Sequence, residues 1–161
     1  MLSRASATLG TVVPVRRASL VALLALVVLP GCGGSGGTPL TKEEYAAKAD
    51  AICGKYNQQT KALGNPTNLS GLATVADKTL SVLDKAIGEL KTLKPPASEK
   101  AIADQWLTQV DNLKKDLTEI RDKAKANDTP GVSAVLPKAQ DHNSKSNELA
   151  GRLGMSVCNQ D

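Results

Sequence analysis

From residue 41 onward, apolar side chains recur three and four positions apart, the spacing that lines one face of an α-helix. Four such stretches follow one another. The first carries Tyr45, Ala49, Ile52, Tyr56 and Leu63. Thr41 and Glu44 before it have the spacing of a capping box, in which each side chain accepts the other residue's backbone N–H. Gly64-Asn65-Pro66 ends it by loosening the backbone and removing a donor. The second stretch reads Leu72, Val75, Ala76, Leu80, Leu83, Ile87, Leu90 and Leu93, with Asn68 or Ser70 to cap its start and Pro95-Pro96 to stop it. The third starts at Ser98 and carries Ile102, Trp106, Val110, Leu113, Leu117, Ile120 and Ala124. Asn127-Asp128-Thr129-Pro130 turns the chain into the fourth, where proline suits a first helical turn. Its stripe is Val132, Val135, Leu136, Ala139, Leu149, Ala150 and Leu153, closed by Gly154. Pro137 predicts a kink or a late start there, because proline lacks the N–H that a helix interior uses. No strand-like alternation follows residue 40. Four helices with short connections pack best as an antiparallel up-down bundle, so the fold class is all-α over residues 41–161.

A different pattern precedes the helices. Residues 18–29 read ASLVALLALVVL, an apolar run of twelve behind Arg16-Arg17. A membrane-crossing helix needs about 20 residues, whereas the apolar part of an export signal has about 7–15. Ala18-Ser19 lack the apolar follow-on of a twin-arginine signal, which favours the general export route. Leu29-Pro30-Gly31-Cys32 then resembles the lipobox of bacterial lipoproteins: an aliphatic residue, a variable one, a small one and cysteine. The resemblance implies a diacylglyceryl group on the Cys32 sulfur and cleavage between Gly31 and Cys32. A plain signal peptide with Cys32 as an ordinary thiol is the alternative. Acyl chains contribute about 0.8 kcal/mol per buried CH₂, so two chains make a stable anchor where one does not. Residues 33–40, GGSGGTPL, have the composition of a flexible tether. They do not make a phosphate loop, since no Lys-Ser/Thr follows. The chain thus divides into a signal (1–31), a lipidated cysteine with its tether (32–40) and a helical domain (41–161), expected on the extracytoplasmic face of the cell membrane.

Composition sharpens this picture. There is no Phe, one Trp and two Tyr, a poor supply for strands and an adequate one for helices. The net charge of +4 falls to +1 once residues 1–31 are removed, because that segment holds Arg4, Arg16 and Arg17 and no acid. A near-neutral domain with mixed signs makes no electrostatic case for nucleic acid. Of three cysteines the lipobox uses one, leaving Cys53 and Cys158 in a compartment where disulfides persist. In an up-down bundle the end of the fourth helix lies beside the first turns of the first, which supports pairing them across 104 intervening residues. Such a loop is worth about 4–5 kcal/mol of chain entropy as an upper figure. There is no C-x-x-C, and one His offers too few ligands for a metal site. The segments TKEEYAAKADAIC at 41–53, LKPP at 93–96 and LGMSVC at 153–158 are together similar to a group of small actinobacterial lipoproteins with helical domains and one long-range disulfide. These motifs are structural, and the resemblance implies no substrate, cofactor or catalytic residue.

The candidate chemistry lies in the fourth helix. Between Ala139 and Leu149 the chain reads QDHNSKSNE, which puts His142, Asn143 and Ser146 on the inward stripe. A polar seam inside a bundle must be hydrogen-bonded, hydrated or filled by a ligand. A wet seam and a ligand site are both compatible with the sequence. Tyr45 and Tyr56 stand eleven apart and share one helix face; with Trp106 they either fill core or line a pocket. His142 has no evident Ser or Cys nucleophile to activate. The carboxylates sit among lysines on solvated faces rather than as a pair flanking a cleft. No catalytic set emerges. The expectation is a binding or interaction module for a small molecule, a cell-wall polymer or a protein, held to the membrane through Cys32. A structural envelope lipoprotein is the alternative, and an enzyme is the least supported reading.

Overall fold

A computed structural model describes residues 38–160. The expected signal, the Gly31–Cys32 junction and most of the tether lie outside the described residues. The rest forms four helices: α1 (Lys42–Lys61), α2 (Leu69–Leu90), α3 (Lys100–Lys125) and α4 (Thr129–Arg152). No strand occurs among the described residues, and the fold is the four-helix bundle that the periodicity predicts. None of these helices is long and apolar enough to cross a membrane.

Local chemistry sets the helix ends. The Thr41 hydroxyl accepts the Glu44 N–H at 3.1 Å while the Glu44 carboxylate accepts the Thr41 N–H at 2.9 Å, completing the capping box. Asn68 caps α2 through the Gly71 N–H at 2.7 Å. The α3–α4 connection is one tight unit. Asn127 adopts a left-handed φ of 55°, and the N–H groups of Asn127 and Asp128 return to the carbonyls of Ala124 and Lys123. Asp128 then caps α4 through the Gly131 N–H at 2.8 Å. Gly154 ends α4 in the same way with φ 83°, Met155 N–H reaching back to Ala150 at 3.0 Å.

Several expectations need correction. The third helix starts at Lys100 rather than Ser98, and Glu99 at its N-cap makes no side-chain cap bond. Glu99 pairs instead with Lys42 at 3.4 Å. Leu63 and Leu93 fall beyond the ends of α1 and α2, although Leu93 still packs on the core. Leu136 is 46% exposed, because Val132 and Val135 already fill the inward positions of that turn. The late start suggested by Pro137 does not occur: α4 begins at Thr129 and runs through the proline. Pro137 and Ser133, whose carbonyl would otherwise accept its N–H, are both exposed, so water can satisfy that carbonyl.

Consecutive helices pack on one another, α1 on α2, α2 on α3 and α3 on α4, whereas α1 and α4 share no comparable packing along their lengths. The larger core cluster gathers Tyr45, Ile87, Trp106, Leu149, Leu153 and Met155 at the end where α1 begins and α4 stops. A smaller cluster at the opposite end joins Ala73, Ile120, Ala124, Val132 and Val135 from α2, α3 and α4. α1 contributes nothing to the second cluster. It is tied to the end of α4 by the Cys53–Cys158 disulfide, with a Cα–Cα distance of 5.4 Å, and by Asp50. That carboxylate accepts the backbone N–H groups of Ser156, Val157 and Cys158 at 2.7–3.0 Å and the Ser156 hydroxyl at 3.0 Å. At the other entry to the bundle, the Leu40 N–H donates to the Lys94 carbonyl at 2.9 Å, and Leu40 packs on the core.

Candidate functional site

The polar seam of α4 divides between two environments. His142 turns toward α3, where its Nδ1 lies 2.6 Å from Asp116 Oδ2. Asp116 is only 1% exposed. Its other oxygen faces Lys138 Nζ at 3.0 Å, and Lys138 also reaches Glu119 at 3.2 Å. Burial pushes the Asp116 carboxyl up, but the hydrogen bonds from His142 and Lys138 and the charge of Lys138 outweigh it and hold the group below the usual carboxylate range. This cluster is a polar clamp between α3 and α4. It uses the Nδ1 bond of His142 for packing.

Asn143 and Ser146 face a cavity of about 200 Å³ between the helices, and Asn147 joins them there. α2 and α3 supply an apolar wall that includes Leu83, Leu90, Val110 and Leu113. α1 supplies Tyr56 with Asn57 and Thr60, and both cysteines of the disulfide also border the space. Helices α1 and α4 therefore stand on two sides of it, in the region where they do not pack on each other. Tyr56 is fixed by its hydroxyl, which donates to Glu89 at 2.6 Å. Lys55 reaches the same Glu89 oxygen at 2.6 Å.

Trp106 lines this cavity and is 1% exposed, yet its indole N–H has no hydrogen-bond partner among the described residues. A buried unsatisfied donor costs about 1–3 kcal/mol, and most buried polar groups in folded proteins are paired. The indole nitrogen is closed off within the core, so this orphan donor does not open into the cavity. Of the three aromatic residues, Tyr56 and Trp106 thus serve core and cavity together. Tyr45 borders a separate recess with Leu93, Ala103 and Leu107. Burial and the nearby Asp104 push the Tyr45 phenol up.

A more open depression between α3 and α4 is lined by Gln105, Thr108, Lys145 and Glu148. Its exposed, mixed-charge wall offers less to define a ligand than the partly open cavity between the helices does. Among the described residues, no group of three or more His, Cys, Asp or Glu could hold a metal ion. The sequence singles out Asn143, Ser146 and Trp106, which border this cavity, but not Asn147 or Asp116. Asn147 stands four after Asn143, a spacing that could have placed it on the same face. Asp116 had no such signal, because its partners come from another helix. No known protein family, curated protein or solved structure matches the chain.

Proposed function

We propose that the chain is a lipid-anchored extracytoplasmic binding protein, in which the helical domain carries a small-molecule site between α1 and α4. The observation that carries the binding reading is the cavity itself, where the apolar wall of α2 and α3 meets the polar side chains of Asn143, Ser146 and Asn147 from α4. The location rests on Leu29-Pro30-Gly31-Cys32 and on the apolar run before it. A disulfide between Cys53 and Cys158 accords with an oxidising compartment. The tether would give the domain reach from the membrane without fixing its orientation. Native mass spectrometry of the protein taken from its own membrane fraction tests the binding reading. A reproducible non-covalent adduct that is lost on unfolding is expected. A clean apo mass, with no thermal shift across a metabolite and glycan panel, would favour a purely structural envelope role instead.

A further inference from the structure

We infer that the recess between the end of α2 and the start of α3 binds a singly charged acid group carried on an apolar body, with the Tyr45 hydroxyl and the Lys94 ammonium as its two donors. This site is separate from the cavity between α1 and α4 and does not depend on it. The recess measures about 360 Å³ and is open to solvent on one side. A cavity of about 150 Å³ accepts benzene, so there is room for a ring with a short chain. Leu93, Pro95, Ala103 and Leu107 give the space an apolar lining for that body.

Tyr45 is 1% exposed, so its ring is fixed in the core. Its hydroxyl makes no hydrogen bond among the described residues. Unlike the Trp106 nitrogen, that oxygen is not closed off from solvent, and the residue borders the recess. A buried tyrosine usually finds a partner for its O–H. Burial and Asp104 also keep this phenol protonated at neutral pH, as a donor. Charge selects the partner. Lys91, Lys94, Lys100 and Asp104 border the recess. Lys100 is matched to Asp104 at 2.6 Å and Lys91 to Asp111 at 3.0 Å. Lys94 is exposed and makes no ion pair among the described residues. The recess thus holds one uncompensated positive charge and one free phenol donor beside an apolar lining. An acid group accepts from both, and an ammonium accepts from neither. Because the mouth is open, the acid keeps part of its hydration and is not stranded in a low-dielectric interior. Two sources supply such a group: a free organic acid and the phosphate of an anionic lipid. The Leu40 N–H donates to the Lys94 carbonyl, so the recess lies where the chain departs toward Cys32, eight residues earlier. Eight residues extend at most about 29 Å, which leaves a lipid headgroup within reach of an anchored chain.

Calorimetric titration of the full processed chain in phosphatidylcholine nanodiscs, with empty discs as baseline, tests the site. The probes share one body and differ in head group: 4-phenylbutyrate, 4-phenylbutanamide and 4-phenylbutylamine. The acid should bind saturably and roughly fivefold more tightly than the amide or the amine. Tyr45→Phe keeps the ring and removes the donor, and should weaken the acid roughly fivefold while cooperative melting is retained. Lys94→Gln removes the charge at an exposed position, where folding is not at stake, and should bring the acid level with the amide. It carries the test if Tyr45→Phe melts early. Leu107→Trp should fill the recess and abolish binding of all three probes. No saturable binding of the acid, equal binding of the amine, or an unchanged affinity for the acid in Lys94→Gln or in folded Tyr45→Phe would overturn the ligand class. Binding that survives Leu107→Trp would overturn the site. Discs containing phosphatidylglycerol separate the two sources. A headgroup in the recess displaces the neutral amide as well as the acid, whereas surface charge repels the acid alone. Loss of amide binding assigns the recess to a lipid headgroup, retention assigns it to a free acid, and both support the site.

Discussion

Two aspartates show how a single carboxylate can organise a helical domain. Asp50 is one of three acids in α1, but it alone gathers the three consecutive N–H groups that follow α4. Burial raises its proton affinity, and the donors from Ser156, Cys158 and Val157 outweigh that effect and hold the group below the ordinary carboxylate range. Asp116 is lowered by its own two partners. A carboxyl whose folded value is depressed contributes stability that is present above its unfolded value, about 3.9, and lost as pH falls toward the folded one. Urea midpoints should therefore stay level on this account from neutrality to about pH 5 and fall below about pH 4. Asp50→Asn should flatten part of that acid limb, since the amide has no charge to lose. An unchanged limb in this variant would mean that the clamp adds no pH-dependent stability.

At the scale of the helix, the α3–α4 turn makes the sharpest prediction. A Cβ at Gly131 would collide with the Asp128 carboxylate and with the Lys123 side chain. Gly131→Ala gains about 1 kcal/mol of helix propensity. It displaces the cap, however, which is worth about 0.5–2 kcal/mol, and it adds the cost of the collision. The net change should be a loss of about 1 kcal/mol. Gly88 in α2 is the control: nothing lies within 4 Å of a Cβ there, so Gly88→Ala should stabilise by about 0.5–1 kcal/mol. Chemical denaturation of the pair would check both signs.

Helix positions were legible in the sequence because caps and periodicity act locally: Thr41 with Glu44, Asn68, and the Asn127-Asp128 turn all stand as expected. The inward choice between neighbouring residues was less legible. Asp116 and Leu117 flank the same stripe position, and Asp116 is buried while Leu117 is only half-buried. What decides between them is His142 and Lys138, more than twenty residues away. The small residues Ala46, Ala73, Ala86 and Ala103 fill core for a related reason. Their burial reflects how closely neighbouring helices approach, and one helix's own pattern does not encode that.

Across the whole molecule, the chain is closed by few ties between its first and last helices. The disulfide spans 105 positions, and α1 otherwise packs mainly on α2. Reduction should cost up to about 4–5 kcal/mol by chain entropy, a large part of the roughly 5–15 kcal/mol that holds a domain folded. Urea unfolding with and without reductant would measure it; a shift under about 1 kcal/mol would mean that Asp50 and the core hold α1 unaided. The cysteine pairing was readable because bundle topology brings the chain ends together. The polar residues of α4 could be found as a seam, but not divided between a clamp and a cavity. That division depends on where α3 and α1 present their side chains.

Where the helical domain sits depends on what becomes of Cys32. Intact mass under denaturing conditions, on protein from the producing cell's membranes, tests that most directly. The expected product begins at Cys32, carries the mass of a diacylglyceryl group on that residue, and lacks the two hydrogens of a Cys53–Cys158 pair. A chain that retains residues 1–31, or one that bears a free thiol at Cys32, would contradict the anchor and the extracytoplasmic setting with it.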